Sequence, residues 1–210
     1  MPIYERALLL LGCFLHRERR SQEGGTSASV GSTMPWTGTT VLGCLRDGVA
    51  AVACDGQVTA DVVILKASAR KIRRLYEGRV LAGFAGGAAD GLHLFERFEA
   101  QLEAHRGRLQ RAAVELAKEW RSDKVLRRLE AQLIALDRDH AFLVSGQGDV
   151  LEPDDGIVAI GAGAPYALAA ARALLRCGQN LEVSALVRDA LEIASGICIF
   201  TNSNIQVEQL

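Results

Sequence analysis

Thr39 lies between Gly38 and Thr40, with Asp55 sixteen residues downstream and Lys71 sixteen beyond that. These residue types can build a nucleophile that carries its own base. A threonine hydroxyl is weak at its free pKa and needs a base beside it. Cleavage after Gly38 would give Thr39 a free α-amine on the same residue as its hydroxyl. Such an amine has a pKa of about 8 when unperturbed, so a useful fraction is neutral and can accept a proton. A lysine nearby would lower that pKa by like-charge repulsion, and an aspartate would hold the lysine in place. Each residue also has a plainer reading. Thr39-Thr40 can be a β-prone pair, Asp55-Gly56 a turn, and Arg70-Lys71-Ile72-Arg73-Arg74 a solvated basic face. Spacing alone does not choose between these.

The elements that must position these residues follow from hydrophobic periodicity. Thr40–Arg46 and Val49–Cys54 are β-prone runs separated by Asp47-Gly48, a two-residue hairpin signal. Residues 62–65 and 80–84 are further strand candidates. The pattern predicts helices over 88–103 and 109–130, the second with Leu109, Ala112, Ala113, Leu116, Trp120, Leu126 and Leu129 on one stripe. Strands are expected at 132–137, 141–144 and 157–160, helices at 164–175 and 183–194, and a last strand at 197–201. Strands and helices that come in groups argue against a strictly alternating βαβ chain. The pattern favours an α+β fold, a four-layer αββα sandwich.

The 210 residues are 49% hydrophobic and 23% charged, a balance suited to one folded domain with a substantial core. The formal net charge of −1 provides no field for nucleic acid or an anionic membrane, and neither is expected as a partner. Five cysteines at scattered positions, without a CxxC pair, point to free thiols in a reducing compartment. The four histidines form no metal-ligand spacing.

Residues 1–38 differ in character. Ala7–Leu15 is apolar but far too short to span a bilayer. A basic stretch follows to Arg20, and 21–33 is rich in Ser, Gly and Thr. This segment reads as a leader that is removed, leaving 39–210 as the working domain. Its Arg and Ser content fits a presequence for the mitochondrial matrix, although Glu5, Glu18 and Glu23 run against that. The alternative is a bacterial cytoplasmic protein with a short propeptide or with translation starting at Met34.

Several strings carry a family resemblance. Gly38-Thr39-Thr40-Val41, Cys54-Asp55-Gly56-Gln57-Val58-Thr59 and Lys71-Ile72-Arg73-Arg74-Leu75 are similar to the opening of the HslV family. The same holds for residues 80–90, for 112–121 and 126–131, and for 160–174 and 197–202. The resemblance covers essentially all of 39–210. It implies the proteasome β-subunit-like Ntn-hydrolase fold and an N-terminal threonine endopeptidase. Thr39 would be the nucleophile, Asp55 and Lys71 its tuning pair, and Gly83 the glycine whose N–H faces the oxyanion. It further implies a double hexameric ring and a hexameric AAA+ partner, HslU, that unfolds protein substrates. No cofactor is expected for the chemistry, and the chain has no GxxxxGK[ST] string, so ATP would be used by the partner. Backbone carbonyls at Ser195, Cys198 and Thr201 would hold a structural Na+ or Mg2+.

Two positions depart from the family pattern. The loop Gly161-Ala162-Gly163 has alanine where the family usually has a serine of the nucleophile's network, and Ser195 stands where glycine is usual. A catalytically weak or silent ring subunit is therefore a second reading. A small-molecule amidase on the same scaffold, active without a partner, is a third. The Gly-rich loop lacks the third glycine and downstream acid of a dinucleotide site.

Overall fold

A computed structural model describes residues 36–123, 131–177 and 181–210. In chain order the elements are β1 (Trp36–Thr37), β2 (Thr40–Arg46), β3 (Val49–Cys54), β4 (Val58–Ala60), β5 (Val63–Lys66), β6 (Ile72–Leu75) and β7 (Val80–Ala85). Helices α1 (Ala88–Ala104) and α2 (Leu109–Ser122) come next, followed by β8 (Gln132–Leu136), β9 (Ala141–Ser145), β10 (Val150–Leu151) and β11 (Ile157–Gly161). Helices α3 (Ala164–Arg176) and α4 (Val183–Ser195) precede the last strand, β12 (Gln206–Gln209).

Two antiparallel sheets form the centre. One has the order β10-β9-β8-β7-β6 and the other β11-β2-β3-β12. A small third sheet has the order β1-β4-β5. Side-chain alternation along β2 and β3 sets the layers, because successive residues point to opposite faces. Val41, Ala50, Val52 and Cys54 join Leu81, Ile134 and Leu136 in the core between the sheets. Leu42, Cys44, Ala51 and Ala53 point the other way and meet Ala171, Leu186, Val187 and Leu191 of α3 and α4. On the far side, Phe98, Leu116 and Trp120 of α1 and α2 cover Leu133, Ala135 and Phe142. The result is the αββα sandwich expected from the pattern, with both sheets buried on both faces.

The β2–β3 hairpin closes as its turn residues dictate. Arg46 pairs with Val49, and Asp47 and Gly48 take φ of 52° and 76°. Positive φ at both central positions matches the right-handed twist of the strands.

The structure corrects several local expectations. Residues 197–201 are a turn, not a strand. The carbonyl of Ala194 accepts the N–H of both Ile197 and Cys198, closing the C-terminus of α4, and Thr201 N–H folds back to Cys198. Its two isoleucines point outward, with Ile199 80% exposed. The final strand is instead the polar β12, paired with β3 from Gln206–Cys54 to Gln209–Ala51. The basic run at 70–74 leads into an edge strand, β6, rather than being a solvated face throughout. Arg73 and Arg74 are exposed, whereas Lys71 is only 2% exposed. Helix α2 ends at Ser122, where Asp123 turns extended with ψ of 127°. Residues 124–130, with Leu126 and Leu129, lie outside the described residues, as does the 1–35 part of the expected leader.

Candidate active site

Asp55 follows the last residue of β3 and is fully buried. A buried carboxylate is tolerable only when its oxygens are satisfied and its charge is paired. Both conditions hold. Oδ1 accepts Thr40 N–H at 2.7 Å and the Lys71 ammonium at 2.8 Å, while Oδ2 accepts Gln57 N–H at 2.8 Å and Asn202 N–H at 3.4 Å. The backbone continues the embrace, since Asp55 N–H donates to the Thr40 carbonyl at 3.1 Å. Asp55 is thereby tied to the residue next to Thr39.

Lys71 enters from the start of β6 and spends all three ammonium hydrogens. Besides Asp55 it donates to the Gln57 carbonyl at 2.6 Å and the Gly38 carbonyl at 3.2 Å. Burial holds its pKa below the usual lysine value, and the adjacent Asp55 charge and hydrogen bond oppose that shift. The cation stands against the peptide bond that precedes Thr39.

Thr39 is buried to 8% exposure, and its carbonyl accepts Ala162 N–H at 2.9 Å. The loop after β11 reaches it only because Gly161 has no side chain. A Cβ there would come within 2.0 Å of the Thr39 carbonyl oxygen, and φ is +90°. Thr40 supports the same loop: its Oγ1 accepts Gly163 N–H at 2.9 Å and lies 2.7 Å from Thr201 Oγ1. The Ala162 side chain is exposed and makes no such bond.

Thr39 and Lys71 open onto a pocket of about 240 Å³. Phe84, Leu92 and Phe95 make its apolar wall, and Gly86, Arg70 and Arg73 also line it. Phe84 meets Phe95 edge to face at 5.4 Å between centroids, and the Arg73 guanidinium sits 5.3 Å over the Phe95 ring. The pocket suits a mainly apolar side chain.

Thr39, Asp55 and Lys71 are therefore brought together, but Gly83 is placed differently from its expectation. It sits within β7, opposite Ile72 on one side and Ile134 on the other, and is not among the pocket's lining residues. Phe84 N–H points to β6, where it meets the Lys71 carbonyl at 3.3 Å, so the N–H of Gly83 points the opposite way, to β8. Its glycine is explained by packing, since a Cβ would lie 2.7 Å from Val41 Cγ1 in the core between the sheets. Two glycines do line the pocket, Gly38 beside Thr39 and Gly86, the latter with φ of +138°.

Gln57, Thr40, Thr201 and Asn202 also belong to the site, although sequence spacing did not single out their side chains. Their partners are far apart in the chain, and only the fold joins them.

Ser195, Cys198 and Thr201 lie on the turn that ends α4. The Cys198 carbonyl accepts Thr201 N–H at 3.0 Å, which leaves it a second lone pair. Among the described residues no cluster of three or more His, Cys, Asp or Glu could hold a metal ion. A cation on this turn would rest on main-chain oxygens, a neutral donor set that fits a hard ion.

The proteasome subunit family model matches residues 36–210. The ATP-dependent protease subunit HslV of Chlorobium luteolum is 56% identical over 172 residues, covering 82% of this chain and 94% of the relative. The protein of the same name from a Geobacillus species is 58% identical over 174 residues, covering 82% and 97%. Among solved structures, eukaryotic HslV from Trypanosoma brucei superposes with a TM-score of 0.77 at 42% identity, covering 81% of this chain and 98% of that one. Thiobacillus denitrificans BPH, solved with epoxomicin, shares the fold at a TM-score of 0.63 and 21% identity, covering 81% and 97%.

Proposed function

The chain belongs to the HslV family of proteasome-like protease subunits, and from that premise we propose that it is an N-terminal threonine endopeptidase with Thr39 as nucleophile. The observation that carries this reading is the Lys71 ammonium, held by Asp55 at 2.8 Å and touching the Gly38 carbonyl at 3.2 Å. That carbonyl belongs to the bond that must break to expose Thr39.

In processing, the Thr39 hydroxyl adds to the Gly38 carbonyl carbon, and Lys71 offsets the charge that develops on its oxygen. The Gly38–Thr39 C–N bond breaks to leave an ester on Thr39 Oγ and a free α-amine. Water then hydrolyses the ester and releases residues 1–38 with a C-terminal carboxylate. In turnover, the α-amine takes the hydroxyl proton as Oγ attacks a substrate carbonyl, then delivers it to the departing amine. A second ester forms and is hydrolysed in the same way. Gly86, not Gly83, brings main chain to the pocket wall where an oxyanion would lie.

ATP is used by an HslU-type AAA+ hexamer that feeds unfolded proteins to this subunit, which stacks as a double hexameric ring. A Na+ or Mg2+ on the Ser195, Cys198 and Thr201 carbonyls would stiffen the turn whose Thr201 hydroxyl and Asn202 N–H reach Thr40 and Asp55. The Arg and Ser content of residues 1–38 supports a mitochondrial matrix address.

The exposed alanine at 162 favours a second reading, a subunit with weak or no turnover that serves the ring. Fluorogenic peptide hydrolysis with the AAA+ partner separates the two. Turnover that is lost in Thr39→Ala supports the peptidase, and an assembled but inactive wild type supports the silent subunit.

A further inference from the structure

Gln57 is buried to 3% exposure, and both hydrogens of its side-chain amide are used. Nε2 donates to Thr59 Oγ1 at 3.0 Å and to the Ile199 carbonyl at 3.0 Å. Its main chain meanwhile touches both members of the ion pair. The N–H donates to Asp55 Oδ2 at 2.8 Å, and the carbonyl accepts the Lys71 ammonium at 2.6 Å, the shortest of that group's three bonds. We propose that Gln57 is a positioning residue, whose amide, pinned between β4 and the turn after α4, fixes the peptide that aims the Lys71 ammonium at Thr39. The inference rests on the threonine-peptidase reading above and adds a residue to it.

The consequence is electrostatic. A fixed ammonium beside the Thr39 α-amine disfavours the amine's protonated form, and the effect weakens as the charges separate. Among the described residues, the other charged or titratable groups about this point are Cys54 and Asp55 at the end of β3, and Arg70 and Arg73 beside and on β6. Among the described residues, helix α1 contributes Leu92 and Phe95 to the pocket wall, and the loop 161–163 is glycine and alanine. None of these changes when Gln57 is altered. Releasing its amide lets the peptide and Lys71 wander, so the α-amine pKa rises.

The test is the pH profile of kcat/KM and kcat for the processed full chain assayed with its AAA+ partner and a fluorogenic peptide. In Gln57→Met the acid limb moves to higher pH by ~0.5 unit or more, kcat at neutral pH falls, and KM stays within about twofold. Thr59→Val removes one acceptor of the amide and gives a smaller shift of the same sign. A limb that stays at the wild-type position in both variants overturns the inference, including the case where kcat falls evenly at all pH, as general loosening would cause. If Gln57→Met does not assemble, Thr59→Val decides by the same criterion. Wild-type turnover that survives Thr39→Ala instead overturns the functional reading and takes the inference with it. An unshifted limb with Thr39-dependent turnover overturns the inference alone.

Discussion

The Lys71 ammonium donates to the carbonyl of Gly38 at 3.2 Å while Asp55 holds it from the other side at 2.8 Å. One buried cation thus faces the Gly38–Thr39 bond, the bond we propose is processed, and the residue we propose as nucleophile. Its removal should damage folding and chemistry separately. Lys71→Met leaves the buried Asp55 carboxylate without its counter-charge, a loss of about 3–5 kcal/mol. Lys71→Arg keeps a charge but cannot reproduce three bonds from one compact nitrogen. We expect a lower Tm in the first, and release of residues 1–38 slowed or abolished in both, checked by calorimetry and intact mass.

Ala162→Ser should be tolerated, because the side chain at 162 is exposed and the loop is already held by its backbone. Stability should stay within about 0.5 kcal/mol of the parent. If the missing hydroxyl limits the rate, kcat rises up to about tenfold with KM unchanged. Steady-state kinetics of the two proteins side by side measure this.

Gly83→Ala and Gly86→Ala should fail in different ways. The first pushes a methyl into Val41 and costs about 1–3 kcal/mol of stability. The second alters main chain at the pocket wall, so kcat falls by about 100-fold or more. Thermal melts paired with kinetics distinguish packing from chemistry.

How the sequence conveyed this site depended on the distance between partners. The hairpin at Asp47-Gly48 was legible because its signal is local, and the layers were legible because strands and helices come in groups along the chain. Spacing left Lys71 open, since a lysine in a basic run looks solvated until its partner Asp55 is folded against it, and the family resemblance alone singled it out. The Thr40 contacts to Gly163 and Thr201 span 123 and 161 residues, beyond any spacing argument. Residues 197–201 misled because β-branched residues suit a strand, yet the end of α4 takes their backbone N–H groups. Gly83 has the right residue type but lies in the sheet, and only register reveals which way its N–H points.

Burial also sets the thiol chemistry. Desolvation pushes Cys44 and Cys54 up to about 11, whereas Cys177 is exposed. A thiolate reagent near pH 8 should label Cys177 and spare Cys44 and Cys54 until the protein unfolds. The folded state holds these two protons longer than the unfolded chain, whose thiols titrate near 9. Their contribution is complete below pH 9 and is lost as pH rises toward 11. Lys71 acts in the opposite sense. Its lowered pKa makes burial costly at neutral pH, and that cost is relieved between the lowered value and 10.5. Peptide mapping after alkylation checks the first statement, and alkaline melts of the parent and a Cys44→Ala, Cys54→Ala variant check the second.

On the proposed mechanism Thr39 becomes the first residue and acts through its own amine. Intact mass and N-terminal sequencing of the wild type and Thr39→Ala, purified side by side, decide whether it does. A wild-type chain beginning at Thr39 is expected, with a Thr39→Ala chain that keeps residue 38 and has no peptidase activity. A wild type that hydrolyses peptides while still carrying Gly38 would contradict it.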